Sequence, residues 1–148
     1  MQIQKMTIDD YDDVYCLWVN TPGMGLNNLD DSKQGIIKYL KRNPNTCFVA
    51  RENGKLIGVI LSGHDGRRAF IYHMAVDISH RKKGVGRKLV EFALNALQEE
   101  GIHKVAFVVF KKNEIGNEFW EKLGFDERTD LVYRNKVISK SEMKRLDI

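Results

Sequence analysis

The chain has 148 residues, is 43% hydrophobic and 30% charged, and carries a formal net charge of +4. Those figures suit one compact domain over 1–148 with a core large enough to fold alone, leave no room for a second, and are too mild in charge to call for nucleic acid. No apolar stretch approaches a membrane span and Met1-Gln2-Ile3-Gln4-Lys5 lacks the apolar region of a signal peptide, so a cytoplasmic protein with no membrane partner is expected. Cys16 and Cys47 are the only cysteines and have no ligand spacing, so reduced thiols and no metal are expected.

In chain order, Ile3 to Met6 reads as a short strand, and Thr7 with Asp10 as a capping box. The helix it opens carries Ile8, Tyr11, Val14, Tyr15 and Trp18. Breakers from Asn20 to Asn28 make a loop, after which Ser32 caps a helix through Tyr39 and Leu40 that ends before Pro44. Thr46 to Glu52 and Lys55 to Ser62 read as strands joined at Asn53-Gly54, the strongest short hairpin signal. Asp65-Gly66 turns into Ala69–Val76, an apolar run that reads as a strand buried on both faces and completes an antiparallel meander. Val85, Leu89, Phe92, Ala93, Ala96 and Leu97 recur at helical spacing up to Gly101. Lys104 to Phe110 reads as another strand, Ile115 to Leu123 as a short helix stopped by Gly124, Leu131 to Val137 as a last strand, and Ser139 to Leu146 as a terminal helical turn.

Between the buried strand and the long helix lies Arg81-Lys82-Lys83-Gly84-Val85-Gly86-Arg87-Lys88, with five cations and two glycines. At a helix N-terminus several backbone N–H groups lack partners and the dipole is positive; glycine lets an anion approach them, and Arg and Lys add full charges. The segment therefore suits a pyrophosphate. It is not a Rossmann loop, because the third glycine position is Leu89, and it is not a Walker A loop, because the glycine spacing and Lys-Ser/Thr are missing.

The remaining pattern, Arg-x-x-Gly-x-Gly after a fourth strand, resembles the signature of the GNAT superfamily of acyl-CoA-dependent N-acyltransferases. Asn113, followed by Trp120-Glu121-Lys122-Leu123-Gly124-Phe125, resembles a second family motif about thirty residues downstream. The resemblance implies an α/β fold of the α+β type. It would have a mixed, mostly antiparallel sheet of about six to seven strands flanked by helices, in the order β-α-α-β-β-β-α-β-α-β. It implies an acetyltransferase that moves acetyl from acetyl-CoA to a primary amine in a ternary complex. The fourth and fifth strands should splay apart to admit the acyl-CoA arm. Met74, Ala75 and Val76 match the strand end that holds the acetyl carbonyl and pantetheine. Arg81, Lys82, Lys83, Gly84, Val85 and Gly86, with Arg87 and Lys88, match the pyrophosphate loop, and Asn113 matches a pantetheine contact. Gly86 is expected to tolerate substitution least, because a Cβ would intrude on the anion.

Two positions depart from the family pattern. Trp120, counted among the cofactor-binding positions, stands where many members carry a tyrosine that protonates the departing thiolate, and indole cannot supply that proton at neutral pH. Val108 stands where some members carry a glutamate base. Tyr72 and Tyr133 are the candidate catalytic residues. Simple strand alternation places Tyr72 on the face of Met74 and His73 on the other. The Thr21 to Asp31 loop, with Asp30 and Asp31, is the candidate acceptor wall. The expected partners are acetyl-CoA and an amine of unspecified identity, with homodimerisation open. The competing readings are a non-catalytic acyl-CoA sensor and a basic nucleic-acid module, the latter disfavoured because Lys104, Lys111 and Lys112 form the only other basic grouping.

Overall fold

The computed structural model describes residues 1–146. Strands β1 (Gln2–Lys5), β2 (Phe48–Glu52), β3 (Lys55–His64), β4 (Ala69–Val76) and β5 (Val105–Ala106) form one sheet in that order. The first three pairings are antiparallel and β4–β5 is parallel. Helices α1 (Tyr11–Val19) and α2 (Lys33–Arg42) lie on one face of the sheet, α3 (Val85–Glu99) packs on the other, and α4 (Glu114–Lys122) follows β5.

Local chemistry explains these boundaries. Asp10 Oδ2 accepts the Thr7 N–H at 2.9 Å, although the first turn, Ile8–Asp10, is 3-10 in form and α1 proper starts at Tyr11. Ser32 Oγ accepts the Gly35 N–H at 3.0 Å and opens α2 as its position suggests. Asn53 and Gly54 both have positive φ, as the tight hairpin between β2 and β3 requires. Arg51 on β2 reaches across to Asp10 at 2.8 Å, so the largely buried carboxylate before α1 is neutralised by the sheet.

Alternation along β2 and β3, shifted by one residue at a bulge that leaves Ile57 unpaired between the Arg51–Leu56 and Ala50–Gly58 pairs, fills two cores. Val14 and Trp18 meet Val49, Val59 and Leu61 under α1, whereas Leu89, Val90 and Ala93 of α3 meet Ile57, Ile60 and Ile71 on the opposite face. Trp18 and Leu89 are fully buried anchors.

Among the described residues, four expectations need correction. The sheet has five strands rather than six to seven. The Lys104 to Phe110 strand is paired only at Val105 and Ala106; beyond them Phe107 joins an aromatic cluster with Trp120 and Phe125, at 4.3 and 5.3 Å between ring centres. Leu131 to Val137 has strand-like residues but makes no ladder: Leu131, Val132 and Tyr133 are 60, 75 and 65% exposed, and propensity without a pairing partner does not define a strand. Ser139 to Leu146 forms no helical turn either. It docks on the loop before α2, where Leu146 N–H donates to Leu26 O at 2.9 Å and Asn28 N–H to Lys144 O at 3.0 Å.

Candidate active site

Strands β4 and β5 are paired only at Ala69 and Phe70, so from Ile71 to Val76 the outer edge of β4 has no strand beside it among the described residues. The expected splay is thus present. Its mouth points toward the segment that follows β4. Met74, Ala75 and Val76 occupy the unpaired end, and Ala75 is buried under α1 while Met74 and Val76 pack toward α3.

The chain then passes a 3-10 turn, Ile78–His80, whose base is tied down by charge. His80 lies 2.7 Å from Asp77 through Nδ1 and 3.2 Å from Glu52 through Nε2. Hydrogen bonds from Ser79 and His80 hold the Asp77 carboxyl below the usual range. Arg81, Lys82, Lys83, Arg87 and Lys88 are exposed, and none is in an ion pair among the described residues. Gly84 is the N-cap of α3 with φ +82°, supplies no capping side chain, and has open space where a Cβ would stand. The first N–H groups of α3 are therefore left to an external acceptor beside five cations.

The expectation for Gly86 needs a different reason. Its Cα faces inward, and an added Cβ would lie 3.1 Å from Cζ of Phe119 on α4. The Phe119 ring would have to give by a few tenths of an ångström to admit it. Val85 is likewise a core residue, so Val85 and Gly86 offer the loop their backbone and not their side-chain positions.

Asn113 caps α4, its Oδ1 accepting the Gly116 N–H at 2.9 Å, which leaves both amide N–H donors and a second lone pair on Oδ1 for another partner. Trp120 is 9% exposed and surrounded by Phe107, Phe119 and Phe125, with ring centres 4.3 to 5.1 Å away. Its indole is a core residue, packed among these rings. Val108 is exposed and brings no acid–base chemistry.

The largest departure from simple alternation lies within β4. Leu61 faces His73 and Ser62 faces Ile71, so Tyr72 is an extra, bulged residue. Its ring meets Phe70 at 4.8 Å and Tyr39 of α2 at 5.7 Å. His73 packs edge-on to Trp18 of α1 at 5.0 Å. Tyr72 and His73 therefore both lie on the α1–α2 side, and Met74 is on the other, contrary to the alternation expected. Burial raises the Tyr72 phenol above its ordinary pKa, with Asp30 and then Tyr133 adding negative influence. Tyr133 lies in exposed coil, close enough to Tyr72 to influence its phenol.

Sequence reasoning did not find the partner of His73. Its Nε2 lies 2.8 Å from Asp31 Oδ1, and the two side chains are only 10 and 6% exposed. Asp31 Oδ2 also accepts the Asn27 N–H at 2.8 Å. Of the two acids in the candidate acceptor wall, Asp31 is thus buried and hydrogen-bonded, whereas Asp30 stays exposed. A histidine within an apolar strand needs a polar partner, and that was the available signal.

A family model described as "Acetyltransferase (GNAT) family" matches residues 11–125. An acetyltransferase of Yersinia pestis (strain Pestoides F) is 25% identical over 142 residues, covering 96% of this chain and 99% of the relative. Among solved structures, the ribosomal-protein-S18-alanine N-acetyltransferase of Escherichia coli superposes with a TM-score of 0.72 at 22% identity, covering 86% of this chain and 79% of that one. The PaiA N-acetyltransferase of Thermoplasma acidophilum in complex with coenzyme A also gives 0.72, at 20% identity, covering 84 and 89%. With the splayed strands and the glycine-capped helix, the chain belongs to the GNAT acetyltransferase family.

Proposed function

We propose that this protein is a single catalytic domain that transfers acetyl from acetyl-CoA to a primary amine. The observation that carries this reading is the unpaired edge of β4 ending beside the uncapped N-terminus of α3 and its five cations. An extended amide arm can pair with the former while a pyrophosphate is held at the latter. The relatives support the chemistry: one solved neighbour holds coenzyme A, and another is named for acetylating an alanine of a ribosomal protein.

In this reading the β4 backbone near Ala75 donates to the thioester carbonyl oxygen as negative charge develops there. The amine nitrogen bonds to the carbonyl carbon, the carbon–sulfur bond breaks, and the nitrogen loses a proton as the thiolate gains one. Tyr72 stays a phenol at neutral pH and stands on the acceptor side as the proton donor, with Tyr133 as its neighbour. Because Trp120 is buried and Val108 is aliphatic, neither takes part in proton transfer.

The test is acetyl-CoA turnover, followed as free-thiol release, over a panel of small amines, peptides and aminoglycosides. Turnover of one class is expected. CoA binding without turnover on any acceptor would point to a sensor. Salt-sensitive binding to DNA or RNA with no CoA binding would replace the reading altogether.

A further inference from the structure

We infer that Asp31 and His73 form a positioning pair that pins the acceptor-side loop to the donor-holding strand and fixes the stance of Tyr72. The inference rests on the acetyl-transfer reading for its kinetic consequences but not for its structural one. Asp31 is the last residue before the Ser32 cap of α2, and His73 is two residues before Ala75 on β4. Their 2.8 Å hydrogen bond joins two side chains that are each at most 10% exposed. A carboxylate so placed favours the imidazole tautomer with Nε2–H directed at it.

The loop is organised around this carboxylate. Oδ1 meets His73 and Oδ2 takes the Asn27 N–H at 2.8 Å; the Asp31 carbonyl takes the Tyr11 hydroxyl at 2.7 Å. Asn27 in turn uses Oδ1 to hold the Leu29 and Asp30 N–H groups at 3.0 and 2.7 Å. Losing the His73 contact therefore removes the only side-chain hydrogen bond between the turn from 27 to 31 and β4 among the described residues. Trp18 packs edge-on to the ring, and Nδ1 is buried without a hydrogen-bond partner among the described residues. The bulge makes the link consequential: a residue in strict alternation would point His73 away from Tyr72, but here both face α1 and α2. A shift of the turn moves Asp30, the carboxylate near Tyr72, and with it the wall against which an amine would align.

Three variants test the pair: His73→Leu, Asp31→Asn and His73→Gln, whose amide N–H can still donate to Asp31. Amide hydrogen exchange needs no acceptor. We expect residues 27–31 to exchange at least about tenfold faster in His73→Leu and Asp31→Asn, with residues 85–97 of α3 unchanged and His73→Gln close to the parent. CoA alone, titrated calorimetrically, should bind all of them within about twofold of the parent. With the best amine of the panel, kcat should fall on the order of 10²-fold in His73→Leu while the KM for acetyl-CoA holds, and His73→Gln should recover most of the loss. Unchanged exchange at 27–31 would overturn the inference, as would His73→Gln behaving no better than His73→Leu. So would loss of CoA binding in step with kcat. A parent that acetylates no amine fails the functional reading alone, because the exchange result still decides on the pair.

Discussion

At the scale of single residues, two glycines two positions apart do different work. Gly84 is needed for its backbone: a side chain at φ +82° is strained by roughly 1–2 kcal/mol even in open space. Gly86 is needed for its neighbour, since its Cβ would press on Phe119 at 3.1 Å. Gly86→Ala is expected to lower stability by about 1 kcal/mol and to be relieved by Phe119→Leu, whereas Gly84→Ala should be indifferent to that second change. A double-mutant cycle by urea denaturation separates the two. Tyr72→Phe, on a residue 58% exposed, should leave stability within about 0.5 kcal/mol and lower kcat by about 10²-fold. A rate that survives the change across pH would remove Tyr72 as the proton donor. Both glycines and Tyr72 stand out in the sequence, but the reasons do not, because Phe119 and Tyr39 come to them only through tertiary contact.

Elements whose signals are local were legible: the Ser32 cap, the Asn53-Gly54 hairpin and the 3.6-residue period of α3 all lie within one turn or one ladder. Elements that depend on a partner were not. The segment after Ala106 loses its strand because β4 and β5 separate, and 131–137 lacks one because nothing pairs with it. The docking of the chain end on the first loop was also beyond local reading, since Asn28 and Lys144 are distant in sequence. Asn28 holds both Glu142 O, at 3.0 Å through Nδ2, and the Lys144 N–H through Oδ1. Asn28→Ala should therefore cost about 1–2 kcal/mol and speed amide exchange at Leu146, whose N–H is bound to Leu26. If exchange at Leu146 is unaltered, the docking does not depend on this side chain.

For the molecule as a whole, buried acids set an alkaline limit. Burial pushes the Cys47 thiol from 9.0 up to about 12, and it raises the Tyr39 phenol as well. The folded chain keeps a proton that the unfolded chain releases, so this stability is fully present below pH 9 and is lost as pH rises toward 12, by up to about 1.4 kcal/mol per unit for Cys47. Thermal melts from pH 8 to 11 should fall, and Cys47→Val should shift the onset upward by roughly the gap between a thiol and a phenol. The bulge in β4 has a further consequence for how this chain tolerates change in length. Because Ile71 and His73 already face consecutive residues of β3, excising Tyr72 would leave both halves of the ladder with their present partners. The shortened chain should fold with its cores intact and still bind CoA while losing transfer to amines, so a single codon separates architecture from activity.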